Sequence, residues 1–408
     1  MEQDFVSYLE NGNLEDAETL YGTIHAMFGS CADSTLRKPV LPDFLLRFSP
    51  GWIYTRIMGL AVEMLQKLRD YKGAVELLEQ LLEQKAFCGG KRGYWWDRLA
   101  LNLNQHLKLA EKSLDAISRG LADDHVRTGH RLALIGRARR ICSSSSHTEF
   151  RDQIAKFPLP YQHEPKEVEI NGSVIADGVS GRKTVFIMAD ESFAAEDGDF
   201  MLSSVEDLAL KHYLQAEKWE HGLHAEGSSL TAVFCLLLWD VIFASGVPDV
   251  FRTKYQASPL DFDTDHFYES RKDLIEKRLA TMSNANNDDL CDMIAGTWNT
   301  HYGQMCMGMN WNLFPGQLRD AQDLVVCIGG CLLSKICGRL AKDYHHCRGG
   351  VPDLTLWSPT THTCKFVEVK GPGDRLSPKQ VLWLDFLTGL GVDAEVCKVK
   401  AVGSRGIR

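Results

Sequence analysis

From Trp52 onward the apolar residues recur at three- and four-residue spacing. Ile53, Ile57, Leu60, Ala61, Met64, Leu65 and Leu68 form one stripe, Asp70-Tyr71-Lys72-Gly73 interrupts it, and Ala74, Leu77, Leu78, Leu81 and Leu82 form a second. That period is one face of an α-helix, so the segment predicts two helices joined by a turn. A similar unit recurs at 109–121, at a loose period of about 38 residues. The pattern predicts a helical-repeat, tetratricopeptide-like array over residues 51–160. Residues 1–50 read as a linker with a short helix around 14–28, followed by a loop carrying Pro39, Pro42 and Pro50.

The pattern changes near residues 155–185. Pro158, Pro160 and Pro165 precede short β-prone runs, Val168-Glu169-Ile170 and Thr184-Val185-Phe186-Ile187, with Asn171-Gly172 between them as a hairpin-turn signal. A domain boundary is placed here, giving a second region over 161–408. Within it the chain reads as helical from Ser203 to about Ile242 and mostly helical from His266 to His345. The last 60 or so residues switch to strand, strand, helix, strand. Asp353-Leu354-Thr355-Leu356-Trp357 and Lys365-Phe366-Val367-Glu368-Val369-Lys370 are the two β-runs, connected through Ser358-Pro359-Thr360-Thr361. Ser377 is placed to cap a helix, with Pro378 at its first position and Gln380 completing a capping box. Gly391 stops that helix, and 394–402 reads as a further strand. The fold class is therefore α+β and mostly helical: a repeat array followed by a small α/β core.

The hairpin also carries chemistry. Residues two apart on a strand share a face, so Glu368 and Lys370 point the same way, and strand pairing brings Asp353 beside them. Two carboxylates suit a hard cation, which prefers oxygen ligands. A lysine there suits a water or a phosphate. The same spacing also fits a surface hairpin bearing an ordinary ion pair.

The flanking residues make the pattern more specific. Cys347-Arg348-Gly349-Gly350-Val351-Pro352-Asp353, Val367-Glu368-Val369-Lys370-Gly371-Pro372-Gly373-Asp374-Arg375-Leu376-Ser377 and the helix with Gln380 and Trp383 resemble the VRR-NUC domain of the PD-(D/E)XK nuclease superfamily. More narrowly, the chain resembles the Fanconi-associated nuclease family, with upstream matches at Trp95-Trp96-Asp97-Arg98, Arg127-Thr128-Gly129-His130-Arg131 and Gly246-Val247-Pro248-Asp249. The VRR-NUC core is expected at about 290–408. The resemblance implies a metal-dependent, structure-specific DNA nuclease with 5′ flap endonuclease and 5′-to-3′ exonuclease activity, acting in the nucleus in interstrand crosslink repair. It implies Mg²⁺ or Mn²⁺ held by Glu226, Asp353 and Glu368 with help from the Val369 carbonyl, Lys370 positioning water, and Gln256 at a further active-site position. It implies a 5′-phosphate pocket, for which Arg92, Arg127, His130, Arg131 and Lys379 are the candidates. Tyr94 and His345 stand where relatives carry arginines. Members of the family also carry an N-terminal ubiquitin-binding zinc finger and a SAP-type module. No Cys/His finger spacing occurs near Met1, so ubiquitin-dependent recruitment is not assigned to this chain.

By its residues alone, Glu226 is an acid near a helix N-terminus, a favourable dipole position. His345-His346-Cys347 reads as packing or phosphate contact rather than a metal site.

Charge refines this picture. The chain carries a net −9, which argues against indiscriminate nucleic-acid binding. Residues 85–140 nevertheless hold twelve Lys/Arg against five Asp/Glu, whereas 185–295 hold eight against twenty-one. A phosphate-gripping face is therefore expected in the first region. Twelve cysteines without CxxC pairs predict free thiols, with Cys327, Cys331 and Cys337 buried on an apolar stretch. No signal peptide is visible, and the run near Thr231–Val247, broken by Asp240, is too short to span a bilayer. Two alternatives stay open: a non-catalytic DNA-binding scaffold, and a dimeric junction resolvase.

Overall fold

The computed structural model describes residues 2–29, 40–175, 186–189 and 200–405. Pro39, Thr184 and Val185 lie outside them. The chain forms two compact units, Met1–Pro160 and Tyr161–Arg408.

The first unit is helical: α1 (Glu2–Glu10), α2 (Leu14–Gly29), α3 (Pro50–Lys67), α4 (Tyr71–Glu83), α5 (Arg92–Leu101), α6 (Ala110–Leu121) and α7 (Thr128–Ser143). Ser49 caps α3, whose first residue is Pro50, and Asp70 caps α4. Most of the repeat stripes bury: Ala61, Met64, Ala74, Leu77 and Leu78 are at most 4% exposed, whereas Ile53 and Leu68 at the two ends of α3 are exposed. The expectation of a linker over residues 1–50 is corrected. That stretch holds two helices, and Phe5, Leu9 and Ala17 join the same core as Met58, Val62 and Leu78. Phe5 and Leu9 are one turn apart, and tertiary burial stabilises a helix too short to persist alone.

The second unit is built on a seven-stranded mixed sheet in the order β3-β2-β1-β7-β6-β5-β4. The strands are β1 (Lys166–Ile175), β2 (Phe186–Ala189), β3 (Phe200–Ser203), β4 (His221–His224), β5 (Leu354–Ser358), β6 (Thr363–Lys370) and β7 (Asp393–Arg405). Its helices are α8 (Val205–Gln215), α9 (Ser228–Leu237), α10 (Trp239–Ile242), α11 (Asp265–Ser270), α12 (Lys272–Asn284), α13 (Asn287–His301), α14 (Leu318–Ile328), α15 (Gly330–Lys342), α16 (Tyr344–Cys347) and α17 (Pro378–Gly389). The predicted strand–strand–helix–strand core is β5-β6-α17-β7. Ser377 and Gln380 form the capping box, with Pro378 at the helix start.

Two expectations fail. Asn171-Gly172 is not a hairpin turn but lies inside β1, which runs parallel to β7 with Asn171 opposite Lys400 and Gly172 opposite Ala401. Lateral pairing overrides the local turn preference, and Glu167–Lys398 and Glu169–Lys400 ion pairs at 2.5 and 2.6 Å line the seam. The stretch from Ser203 to Ile242 is not continuously helical. β4, His-Gly-Leu-His, interrupts it and is too short to show a period.

The sheet has two faces. Val367, Val369, Leu354, Leu356 and Cys397 pack with Ala209 and Tyr213 of α8. Phe366, Trp357, Ala394 and Val396 join a larger core with α9 and α12–α17. Alternation along β6 therefore sends Glu368, two positions from Phe366, toward the larger core. Of the three cysteines expected to be buried, Cys327 and Cys337 are, while Cys331 is exposed. Among the described residues, no single helix is long and apolar enough to cross a membrane.

Candidate active site

The register of β5 against β6 builds the site. Leu354 pairs with Val367, so the next step back along β5 puts Asp353 opposite Glu368. The Val369 N–H donates to Asp353 Oδ2 at 2.8 Å, fixing that carboxyl at the strand end. On the other side β4 pairs with β5, His224 opposite Leu354. The Ala225 and Glu226 N–H groups then donate to the Asp353 carbonyl at 3.0 and 3.2 Å. Glu226 is thereby tethered by its backbone to the residue before β5. It adopts a left-handed conformation, φ 43°, and its side chain points to solvent, 78% exposed. Gly227 follows at φ 82°, where a Cβ would sit 2.6 Å from Val351 Cβ. Only glycine admits that approach, which holds the Glu226 turn against the Gly-Gly-Val-Pro-Asp loop.

Glu368 is fully buried. Its Oε1 accepts from Lys370 Nζ at 2.6 Å and from the Gln380 side-chain amide of α17. Its Oε2 is buried with no hydrogen-bond partner. Burial, reinforced by the neighbouring Asp353 charge, pushes the Glu368 carboxyl up to about 8 despite Lys370. Burial likewise raises Asp353 above the usual carboxylate range. Two desolvated acids side by side form a site that takes up a proton or, in its place, a cation. The donor set is all oxygen, which fits a hard divalent cation. Among the described residues no three ligating side chains already converge. Asp353 and Glu368 are together, and Glu226 is brought alongside by its backbone.

Gln380 is the residue that sequence reasoning assigned only to a helix cap. It does both: its Oε1 accepts from the Ser377 N–H at 2.8 Å while its amide donates to Glu368. The available signal was its position on the first turn after the Glu368 strand.

Gln256 is not joined to this cluster by any of its hydrogen bonds. Its Oε1 accepts from Arg252 N and Thr253 N, and its Nε2 donates to the carbonyls of Val250 and Ser258. It organises its own loop.

Among the phosphate candidates, Arg92 requires correction. It is 2% exposed, and its guanidinium donates to Asp123 and to the carbonyls of Gln84 and Leu82. Its charge is matched inside the helical core, so it does not face a ligand. Arg127 is the extended N-cap of α7, and His130 and Arg131 lie in its first turn, where the helix dipole also favours an anion. Tyr94 donates to Glu63 at 3.2 Å and accepts from Arg98 at 3.2 Å. In the second unit, Lys379 packs against Gly349 and Gly350. Burial first, then the positive charge of His346, Arg348 and Lys379, lowers the pKa of His345. His346 is bonded to Asp343 at 2.8 Å, a packing role.

The β5-β6-α17-β7 core, with Asp353, Glu368 and Lys370 at its strand ends, defines a VRR-NUC-type nuclease domain, and residues 285–401 match the VRR-NUC domain model. Residues 1–142 match the Fanconi-associated nuclease 1 TPR-domain model. The chain belongs to the Fanconi-associated nuclease family. It is 45% identical over 411 residues to Fanconi-associated nuclease 1 of Danio rerio, covering 100% of this chain and 41% of that protein. To the Homo sapiens protein it is 45% identical over 408 residues, covering 99% and 40%. The chain thus spans about two fifths of the length of these relatives. Its fold is similar to that of paFAN1 in a crystal structure with 2nt 5′ flap DNA with gap, at TM-score 0.68 and 19% identity, covering 96% of this chain and 62% of that one.

Proposed function

We propose that this chain is a metal-dependent DNA nuclease that cuts branched DNA bearing a 5′ flap. The observation that carries this reading is Glu368: buried, raised to about 8, with one oxygen unpartnered beside Asp353 and Lys370. The relatives named as nucleases and the flap-bound neighbour support the substrate class.

Asp353 and Glu368 would hold the cation, Mg²⁺ or Mn²⁺, with Glu226 and the Val369 carbonyl as further oxygen donors. The cation supplies Lewis-acid polarisation of the scissile phosphate. Gln380 and the Val369 N–H keep the two carboxyls in place, so they need not reorganise when charge develops. Lys370 Nζ, 2.6 Å from Glu368, orients the attacking water and donates to a phosphate oxygen as negative charge builds. The first turn of α7 and, separately, Lys379 with Arg348 offer positive charge to the DNA backbone. A nuclear location and a part in interstrand crosslink repair belong to the same proposal.

The test is incubation of the chain and a Lys370→Ala variant with end-labelled 5′-flap, splayed-arm and four-way-junction DNA, in Mn²⁺ or EDTA. Cutting of the flap substrate in Mn²⁺ alone, lost in the variant, is expected. Binding without cutting would favour a scaffold. Paired cuts on the four-way junction by a dimer would favour a resolvase.

A further inference from the structure

We infer that the groove between α10, the 251–256 loop and the end of α13 is a binding site for an unpaired nucleic-acid strand. The inference rests on the nuclease reading and adds a second contact point for its substrate. The groove has a volume of about 840 Å³ and is lined by Trp239, Phe243, Phe251 and Tyr255, with Arg252 and Lys254 at its rim. Among the described residues no Asp or Glu lines it, although Asp249 pairs with Arg252 at 3.1 Å, which leaves Lys254 as the cation for a ligand. That is notable because residues 185–295 carry thirteen more acidic than basic residues. A basic, aromatic opening inside an acidic stretch selects an anionic ligand with flat apolar faces. Bases on a phosphate backbone have both properties: stacking platforms and a basic track are how sequence-tolerant single-strand sites work.

The groove is preformed. Trp239 stacks on His301 with ring centroids 4.7 Å apart, and Phe243 stacks on Phe251 at 5.9 Å. The four hydrogen bonds of Gln256 hold the loop that presents Arg252 to Tyr255. The Met307 N–H ties the other rim to the Ala257 carbonyl at 2.8 Å. On this frame Tyr255 is 79% exposed and Met305 74% exposed. Lys254 Nζ lies 5.1 Å from the Tyr255 ring centroid, where it would meet the phosphate of a base stacked there.

Its place relative to the acids is informative. α9 starts two residues after Glu226 and ends two residues before Trp239. Ten residues of helix separate the ends by about 15 Å. That is about four nucleotides at about 3.4 Å per nucleotide along one strand. A single-stranded tail continuing from DNA at the acidic site would reach the groove.

The test measures affinity in EDTA, so that nothing is cut, for a duplex with a six-nucleotide 5′ single-stranded tail and for the same duplex blunt. The chain is compared with Tyr255→Ala, Tyr255→Trp and Lys254→Ala, all changes at exposed positions of the loop. Tyr255→Ala is expected to weaken binding of the tailed duplex about tenfold and to leave the blunt one unchanged. Tyr255→Trp should restore it, and Lys254→Ala should lower the log–log salt slope on the tailed duplex by about 0.7. Equal effects on both duplexes, or none, would overturn the groove assignment while leaving cleavage of flap DNA standing. An acidic hexapeptide that binds as tightly as the tail would overturn it in favour of a protein ligand. A chain that binds neither duplex in EDTA and cuts no flap DNA in Mn²⁺ overturns both this inference and the nuclease reading.

Discussion

Two glutamates on neighbouring strands of one sheet show how burial serves two ends. Glu395 on β7 and Glu368 on β6 are both fully buried. Glu395 faces α8, and every charge requirement is met: Lys166 Nζ at 2.8 Å, Tyr213 Oη at 2.7 Å and Lys365 Nζ at 3.1 Å. Burial alone would raise its pKa, but these three partners outweigh it and hold the carboxyl below the usual range. Glu368 faces the opposite side, has Lys370 and Gln380 on one oxygen and only the like-charged Asp353 beside it otherwise, and is pushed up to about 8. The first arrangement is closed and needs no visitor. The second is open, and under the proposed function a cation would complete it. Burial is the same in both; the partner count distinguishes structure from chemistry.

The largest effect should come from removing the open site. Asp353→Ala is expected to reduce cleavage more than about 100-fold in Mg²⁺ while leaving DNA affinity close to that of the parent, since affinity comes mainly from phosphate contacts. Gel-based cleavage and anisotropy on the same flap substrate check it. Full activity would remove Asp353 from the site.

The two glutamates should respond oppositely to neutralisation. Glu395→Ala leaves Lys365 buried without its main partner and should cost about 3 kcal/mol in a urea titration. Glu368→Gln should stabilise the metal-free chain at pH 8. The sign follows from the raised pKa: the folded state holds a proton that the unfolded state releases, so this contribution is complete below about 4.5, declines as pH rises, and is gone above about 8. Mg²⁺ should recover stability at pH 8 in the parent and not in Glu368→Gln. Thermal melts at pH 6 and 8 measure both; identical behaviour of the two glutamates would erase the distinction.

The arginines of the first unit offer a second comparison. Arg92→Ala should destabilise by about 3 kcal/mol because Asp123 loses a buried partner. Reversing Arg127 and Arg131 to glutamate inverts the charge at the N-terminal end of α7. It should weaken DNA binding for all sequences, with the salt slope falling by about 0.9 per lost phosphate contact. An unchanged slope would mean that DNA follows another face.

The smallest effect concerns the 5′ end. His345, with its pKa lowered chiefly by burial, is neutral at pH 7 and gains charge only under more acidic conditions than a free imidazole. The ratio of cleavage rates on 5′-phosphate and 5′-hydroxyl flaps should therefore rise a few-fold between pH 7 and 5.5. A ratio that does not change with pH assigns the 5′ phosphate to residues other than His345.

Local pattern was sufficient for much of this protein. The 3.6-residue stripes from Ile53 to Leu82, the Ser377 cap with Pro378 and Gln380, and the β5–β6 hairpin are short-range features, dictated by side-chain period and backbone capping. The Asp353/Glu368/Lys370 set was legible for the same reason: a hairpin joins residues close in sequence. Asn171-Gly172, His221–His224 and the first helix behaved otherwise because their partners lie 50 to 230 residues away, and lateral hydrogen bonds or burial overrode what the local sequence favours. Tertiary packing alone decided that Arg92 is a core cation while Arg127 and Arg131 stand at the N-terminal end of α7, that Gln380 reaches Glu368, and that Glu395 is matched while Glu368 is not. A residue's type sets its charge in water. How many partners meet it after burial is a property of the folded whole, and that number gave each of these residues its role.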